Sequence, residues 1–179
     1  MKLKIKTEPG DFIVEELADL PLEKRRRPYA VYLLKKRNWN TVDLLLNLSK
    51  KLNIPFKDLS YGGKKDRYGL TSQYITIRER PYLNLETENY SLKFIGFMLD
   101  PMTAHFIRGN HFKITVRNLS PADLKKASEG IRQTAVYGYP NYFDDQRFGS
   151  YDAVQGFLGE KVIRKHYNGA LKIYLTAVH

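Results

Sequence analysis

A short loop that is flanked by glycines and rich in lysine and arginine carries the residue best suited to chemistry, Asp66. The loop reads Gly-Gly-Lys-Lys-Asp-Arg-Tyr-Gly from Gly62 to Gly69. Glycines and lysines can form a phosphate-binding loop, but the spacing of a P-loop, Gly-x-x-x-x-Gly-Lys-Ser/Thr, is not met. Three cationic side chains lie within two positions of Asp66. They favour the ionised form of its carboxyl group at neutral pH.

An ionised carboxylate among cations has two interpretations. It is one member of a structural ion pair, or it is a nucleophile or base held beside an anionic substrate. For a single aspartate in a basic loop, the local sequence by itself favours the structural interpretation.

The other residues capable of chemistry do not form a recognisable site in the sequence. The histidines His105, His111 and His166 lack the spacing of a metal site, and the chain contains no cysteine, so we predict no metal ligands. The adjacent carboxylates Asp144 and Asp145 would point apart in a strand or loop, and we interpret them as surface residues. The Gly-x-Ser-x-Gly motif of serine hydrolases does not occur.

The charge of the chain favours an anionic partner. Thirty basic residues against nineteen acidic ones give a net charge of +11, and a dispersed basic surface attracts a polyanion by counterion release. The 13 tyrosines and 9 phenylalanines could stack on unpaired RNA bases. The alternative is a solvated basic surface over an aromatic core. The basic residues cluster in four places: Lys24–Arg27, Lys35–Arg37, Lys64–Arg67 and Arg164–Lys165.

Composition also limits the class of protein. With 42% hydrophobic and 27% charged residues, the chain has the composition of a soluble globular protein. No apolar run has the length of a membrane span, and the alternating N-terminus suits a strand better than a signal peptide. A cytoplasmic location is the simplest interpretation.

The elements that must position Asp66 are short strands followed by helices. A helix is predicted from a cap at Asn40 or Thr41 to a stop at Asn53. A second helix begins at Ser120-Pro121 and ends near Gly138. From Tyr142 onward the pattern is mostly helical, with breaks at Gly149, Gly159 and Gly169. The predicted strands are residues 2–6, 11–16, 29–36, 72–78, 90–97 and 111–117.

This order of elements predicts an α+β fold, with a mixed or antiparallel sheet flanked by helices. In the last predicted strand, Phe112, Ile114 and Val116 alternate with polar residues. Spacing alone would therefore place these three side chains in the core.

Four segments, taken in order, resemble the motifs of one family of enzymes, the TruD family of pseudouridine synthases. The loop with Lys65-Asp66-Arg67, followed by Thr71-Ser72-Gln73, is similar to the family's signature loop. The other three segments resemble its N-terminal, Gly-Asn-x-Phe and Asn-Tyr-Phe-x-x-Gln-Arg-Phe-Gly motifs. They are Lys6–Glu16, Arg108–Phe112 and Pro140–Gly149.

The resemblance implies a pseudouridine-synthase-like catalytic domain in which Asp66 is the catalytic nucleophile. It implies that Phe12, Asn110 and Phe112 hold the target uridine, and Lys6 also matches a motif residue. The residues themselves leave other interpretations open, since both phenylalanines suit a core and an asparagine after glycine suits a turn.

Arg147 matches an arginine of the last motif, and by resemblance it belongs to the substrate site. Its other interpretation is a contact with carboxylates or backbone carbonyls. The implied reaction converts a uridine of tRNA, at position 13, to pseudouridine. It breaks the N-glycosidic bond, turns the base and joins C5 to the sugar, so it needs no cofactor and no metal. The aspartate would assist cleavage by a covalent or an elimination route, and the base must first leave its stack.

Family members are about twice as long as this chain and carry an inserted second domain. We therefore expect residues 1–179 to be the N-terminal part of the catalytic domain, without the inserted domain and the C-terminal half. Residues 2–117 would be strand-rich, with the catalytic loop at 61–69, and residues 120–179 mostly helical. The alternatives are a shortened homologue completed by another chain, a non-catalytic basic RNA-binding module, or a fragment that lacks activity on its own.

Overall fold

A mixed sheet of seven strands dominates the part of the chain that the structure describes. The structure, a computed structural model, describes residues 4–139, 151–152, 154 and 156–177. The strands run in the order β5-β6-β2-β4-β1-β7, and β3 pairs with β4 beyond the end of β1. Within this sheet β1 and β4 are parallel, and the other neighbours are antiparallel. The strands are β1 (Phe12–Ala18), β2 (Tyr29–Arg37), β3 (Leu59–Tyr61), β4 (Leu70–Arg78), β5 (Asn84–Glu86), β6 (Tyr90–Met98) and β7 (Ile107–Ile114).

Helix α1 (Thr41–Leu52) packs against one face of the sheet. Its N-cap is Asn40, whose side chain accepts hydrogen bonds from two backbone amides of the first turn, and it ends at Asn53 in the left-handed conformation, with φ of 50°. The predicted helix is confirmed at both ends. Alternate residues of β2 meet the leucines of α1 in a common core that includes Ala30, Tyr32, Leu34, Leu44, Leu45 and Leu48.

The N-terminal segment differs from the predicted strand at residues 2–6. In its described part, Lys4 forms an isolated bridge with Arg117, and Lys6 adopts a positive φ of 56°. A 3₁₀ turn (Pro9–Asp11) follows before β1 begins. Reciprocal hydrogen bonds between Glu8 and Asp11 cap this turn, and they satisfy backbone groups that a strand would have paired with a neighbour.

Strand β7 begins earlier than predicted and exposes its apolar side chains. It is the outermost described strand at one end of the sheet. Phe112 and Ile114 keep 51% and 49% of their surface exposed. Their alternation correctly indicates a strand, but the expectation that they lie in the core is wrong in this structure.

A second compact unit comprises residues 125–179 and is considered by itself. Most of helix α2 (Pro121–Tyr137), the hairpin of β8 (Tyr151–Asp152) and β9 (Gly156–Phe157), and helices α3 (Leu158–Ile163) and α4 (Tyr167–Ala177) belong to it. The hairpin was not predicted. None of the described helices has the length and apolarity that would let it cross a membrane.

The start of α2 at Ser120-Pro121 and its stop at Gly138, where φ is 73°, are confirmed. The predicted breaks at Gly159 and Gly169 are wrong, because both glycines lie inside helices. A Cβ on Gly169 would lie 3.5 Å from the Lys161 side chain, an ordinary contact distance, so this position does not require glycine. Asp144, Asp145 and Gly149 lie outside the described residues. The mixed sheet with flanking helices confirms the predicted α+β class.

Candidate active site

The loop that carries Asp66 connects β3 to β4 and is held tightly at both glycine-rich ends. A Cβ on Gly62 would lie 2.6 Å from Cδ1 of Ile107 and 2.8 Å from the carbonyl oxygen of Thr103. Gly69 has a φ of 140°, and a Cβ there would collide with the carbonyl oxygen of Phe12. Only glycine fits both positions without a shift of the backbone. The glycines therefore serve close packing of the loop against its neighbours.

The carboxylate of Asp66 is half exposed and pairs with a lysine from the N-terminal segment. Its Oδ1 lies 3.3 Å from Nζ of Lys6, and 47% of the Asp66 side chain remains accessible. Two of the neighbouring cations contact other groups: Lys65 pairs with Glu16, and the guanidinium of Arg67 lies 5.5 Å from the ring of Tyr68. The cation that contacts the carboxylate thus comes from a position 60 residues away in the chain.

Lys6 also links Asp66 to a pair of aromatic rings. Its Nζ lies 3.7 Å from the centre of the Phe12 ring, a favourable cation–π contact. The Phe12 ring is in turn 6.1 Å from the ring of Phe112, at an interplanar angle of 56°. Phe12 is 8% exposed, whereas Phe112 is 51% exposed. The buried ring of Phe12 thus contacts both the lysine and Phe112, and about half of the Phe112 surface stays exposed.

Asn110 lies two residues before Phe112 on the same strand. It pairs with Glu16 of β1 in the antiparallel register, as Phe112 pairs with Val14. Alternate residues share a face of a strand, so the exposed Asn110 side chain lies on the same face as Phe112. The interpretation of Asn110 as a turn residue is wrong, since it sits in the middle of β7.

Buried polar side chains lie beneath the loop, and none of them was among the predicted site residues. Lys36, which was predicted to belong to the basic surface, is only 3% exposed. Its Nζ donates to the carbonyl oxygens of Asp66 at 2.6 Å, Trp39 at 2.8 Å and Lys65 at 3.4 Å. Burial lowers the pKa of the Lys36 ammonium to about 8, and the negative charge of Asp66 opposes part of that effect. A signal existed in the sequence, because Lys36 continues the inward series of Ala30, Tyr32 and Leu34.

Two further buried residues attach the loop to α1 and β4. The Thr41 hydroxyl accepts a hydrogen bond from the amide of Lys65 at 3.0 Å and donates one to Oε1 of Gln73 at 3.1 Å. The Gln73 amide nitrogen donates to the carbonyl oxygen of Gly63 at 3.1 Å. Gln73, the glutamine of the Thr-Ser-Gln segment, therefore attaches the loop to β4 by hydrogen bonds.

The N-terminal segment is anchored to the residues after β7 by a bidentate ion pair. Both carboxylate oxygens of Asp11 accept hydrogen bonds from Arg117 at 2.8 Å, and the amide of Glu8 donates to the same carboxylate at 3.1 Å. The hydrogen bond from Arg117 is the main reason that the pKa of Asp11 falls below its ordinary value. This pair fixes the entry to β1, and with it the positions of Lys6 and Phe12.

Four of the six predicted site residues, Asp66, Lys6, Phe12 and Phe112, are thus linked by direct contacts. Asn110 shares their strand face. Arg147 lies outside the described residues, and its role stays a prediction. Within residues 4–139 and the described part of 151–177, no group of three or more histidines, aspartates or glutamates is close enough to hold a metal ion.

Comparison with known proteins places this arrangement in a family. The family model described as "tRNA pseudouridine synthase D (TruD)" matches residues 1–179. The chain is 34% identical to tRNA pseudouridine synthase D of Aquifex aeolicus, with 99% of this chain and 48% of the relative covered. It is 41% identical to the probable tRNA pseudouridine synthase D 2 of Methanocaldococcus jannaschii, with 97% and 40% covered.

A solved structure shows the same fold. The crystal structure of the putative tRNA pseudouridine synthase D from Methanosarcina mazei matches with a TM-score of 0.74 and 32% identity. The match covers 95% of this chain and 40% of that one. The chain therefore spans less than half the length of these relatives. With a family model that matches along its whole length, the chain belongs to the tRNA pseudouridine synthase D (TruD) family.

Proposed function

We propose that this protein isomerises a uridine of tRNA to pseudouridine and that Asp66 is the catalytic nucleophile. The observation that carries the proposal is the meeting of three motifs at one exposed carboxylate. Lys6 from the first motif contacts both Asp66 and Phe12, and the ring of Phe12 contacts Phe112 from the third motif. The relatives named as tRNA pseudouridine synthases support tRNA as the substrate.

Each group has a part in the reaction. The N1–C1′ bond breaks, the base turns, C5 bonds to C1′, the proton leaves C5 and N1 gains one. Asp66 assists the cleavage at the sugar, by covalent attack or by elimination. The ammonium of Lys6, 3.3 Å from the carboxylate, holds it in position.

The uracil needs a site outside its helix while it turns. A flipped base is held by stacking on an aromatic ring and by hydrogen bonds to its polar edge. The half-exposed ring of Phe112 provides the stacking surface, and the amide of Asn110 on the same strand face provides the hydrogen bonds. By family resemblance the target is the uridine at position 13, and Arg147 contributes to the substrate site.

The test is the release of tritium from tRNA that contains C5-labelled uridine, because the isomerisation expels the C5 hydrogen. The full-length gene product is assayed, since this chain spans less than half the length of its relatives. Asp66→Asn keeps the size of the side chain and removes its charge, and we expect a loss of at least ~1,000-fold in kcat.

The matched control is Asp100→Asn, which alters an exposed aspartate on a different loop and should leave the rate unchanged. Tritium release by Asp66→Asn at the wild-type rate would contradict the assignment of Asp66. Salt-sensitive tRNA binding without any release by the wild-type protein would instead favour a non-catalytic RNA-binding module.

A further inference from the structure

The buried ammonium group of Lys36 lies directly beneath the backbone of Asp66. A lysine side chain that is 3% exposed is unusual, because removing an ammonium from water is costly unless its hydrogen bonds are replaced. Here they are replaced by three backbone carbonyl oxygens, of Trp39, Lys65 and Asp66. An ammonium has three N–H donors, so donors and acceptors match in number.

The three carbonyls come from two different segments. Trp39 belongs to the connection between β2 and α1, whereas Lys65 and Asp66 belong to the loop between β3 and β4. Lys36 therefore ties the loop to the end of its own strand. The shortest of the three hydrogen bonds, at 2.6 Å, goes to the carbonyl oxygen of Asp66 itself.

A second buried lysine anchors the same loop to another part of the sheet. The Nζ of Lys65 lies 2.5 Å from Oε2 of Glu16, and these side chains are 6% and 0% exposed. The other carboxylate oxygen of Glu16 accepts a hydrogen bond from the amide of Tyr74 at 3.0 Å. This ion pair joins the residue before Asp66 to β1 and β4, in the middle of the sheet.

We propose that Lys36 is a positioning residue for catalysis, and that its hydrogen bonds to the backbone of the loop, together with the Lys65–Glu16 ion pair, hold the carboxylate of Asp66 in its reactive orientation. This inference rests on the proposed function of Asp66. Lys36 does not touch the substrate, because it contacts Asp66 on the backbone side while the carboxylate faces Lys6. A displacement of about 1 Å at a reacting group can reduce a rate by about 100-fold.

The attachment of the loop by Lys36 should depend on pH, because it depends on whether the Lys36 amine is protonated. The charged groups that face its ammonium are the carboxylate of Asp66, which favours protonation, and the ammonium of Lys65, which opposes it. The charge of Lys65 is in turn paired with Glu16. Above a pKa of about 8 the neutral amine keeps two donors for three carbonyls, so the loop is held less firmly. We expect the wild-type kcat to fall as the pH rises through this value.

The experiment compares Lys36→Met with Lys35→Met in the full-length gene product. Lys35 is the adjacent residue of β2 and is exposed, so it controls for the loss of one positive charge. Tritium release gives kcat and KM between pH 6.5 and 9.5, hydrogen exchange reports on residues 62–69, and thermal unfolding checks the fold.

For Lys36→Met we expect about a 100-fold lower kcat, a KM within about threefold of wild type, faster exchange in residues 62–69 and no fall of kcat above pH 8. Lys35→Met should keep the wild-type kcat, pH profile and exchange. A Lys36→Met protein that keeps the wild-type kcat, or that changes only KM, would overturn the proposal. So would unchanged exchange in the loop.

If Lys36→Met does not fold, a second variant tests whether anchoring of the loop positions Asp66. The double variant Glu16→Gln/Lys65→Met removes both charges of the buried ion pair, so it leaves no unpaired charge. We expect faster exchange in residues 62–69 and a lower kcat at unchanged KM, and wild-type values of both would overturn the role of this anchor.

The two proposals fail in different ways. If the wild-type protein releases tritium and Asp66→Asn does not, a fully active Lys36→Met overturns the positioning role alone. If the wild-type protein releases none, the proposed function is overturned, and the catalytic role of Lys36 is overturned with it.

Discussion

Phe112 exposes about half of its ring beside the buried ring of Phe12. A phenylalanine in this position has an apolar surface accessible to a ligand, and the buried ring of Phe12 packs against it. Stacking of a base on an aromatic ring contributes about 1–3 kcal/mol. At the scale of single residues, this exposed aromatic surface, which Phe12 and Lys6 connect to Asp66, is therefore the feature that most directly suggests a bound base.

We expect Phe112→Ala to reduce kcat/KM for tRNA about 10- to 100-fold, because the stacking surface for the turning uracil is lost. The matched control is Ile114→Ala, since Ile114 is 49% exposed and lies two residues further along the same strand. Both changes remove a half-buried apolar side chain and should each cost only about 1 kcal/mol of unfolding free energy. Tritium release and thermal unfolding measure the two effects. Equal losses of activity in both variants would contradict the specific role of Phe112.

The loop between β3 and β4 carries Asp66. At its end, Gly69 has a backbone conformation and a packing environment that exclude any side chain. The amide of Gly69 donates to Oδ1 of Asn38 at 3.3 Å, and its carbonyl oxygen accepts from the amide of Asn38 at 3.1 Å. Its positive φ and its close approach to Phe12 leave no room for a side chain. The loop thereby joins the strand that carries Phe12.

We expect Gly69→Ala to lower the unfolding free energy by roughly 1–3 kcal/mol, because alanine is strained at this φ and its methyl group collides with the backbone of Phe12. Activity should fall as well, since the loop and Phe12 must move apart. Gly10→Ala is the control, as a Cβ there meets no atom within 4 Å; its effect should stay within about 0.5 kcal/mol. Denaturant unfolding measures both, and an equal stability of the two variants would contradict the close packing at Gly69.

The ion pair of Asp11 and Arg117 connects the 3₁₀ turn before β1 to the residues after β7. It should make stability depend on pH in the acid range. A carboxyl group whose pKa falls on folding stabilises the fold while it is ionised. This contribution is present above the ordinary value of 3.8 and is lost as the pH falls below it, through the lowered pKa of the folded state.

We therefore expect Arg117→Leu to lower the melting temperature at pH 7 and to flatten its decrease between pH 4 and pH 2. Arg108→Leu is the control, because it breaks an exposed ion pair with Asp19. Its melting temperature should change with pH as that of the wild type does, since exposed ion pairs contribute little to stability. Melting curves across this pH range test the prediction. A wild-type acid slope in Arg117→Leu would show that Asp11 gains no stabilisation from the arginine.

At the scale of the whole molecule, the net charge of +11 is the property that would govern the encounter with RNA under the proposed function. Lys36 and Lys65 do not contribute to a basic surface, because their ammonium groups are buried. The side chains of Lys24, Arg25 and Arg26 are exposed in the loop before β2. That loop is therefore a candidate contact for phosphates.

We expect tRNA affinity to fall steeply with salt, by roughly 100-fold between 50 and 200 mM if about five phosphates are contacted. Replacing Lys24, Arg25 and Arg26 by glutamine should weaken binding and reduce the slope of log Kd against log salt, because fewer counterions are released. Fluorescence anisotropy with labelled tRNA measures both quantities. An affinity that is independent of salt would contradict electrostatic binding of RNA.

Much of the local structure could be predicted. Helix α1 has its start at Asn40 and its stop at Asn53 as expected, because capping depends on neighbouring residues only. The breaks expected at Gly159 and Gly169 were wrong, since both glycines lie inside helices and the low helix propensity of glycine is only a weak local preference. The 3₁₀ turn before β1 was missed because hydrogen bonds between Glu8 and Asp11 compete with strand pairing.

The sequence by itself determined the family and the residue proposed for catalysis, because ordered motifs and periodicity are properties of neighbouring residues. Only the tertiary structure decided that Lys6 rather than Lys65 contacts the Asp66 carboxylate. It also decided that Lys36 is buried beneath Asp66 and that Phe112 is exposed. The physical reason is that these contacts join residues far apart in the chain, which the pairing of strands across the sheet brings together. A local pattern such as the alternation along β2 indicates at most that a side chain points inward, and it does not name the partner.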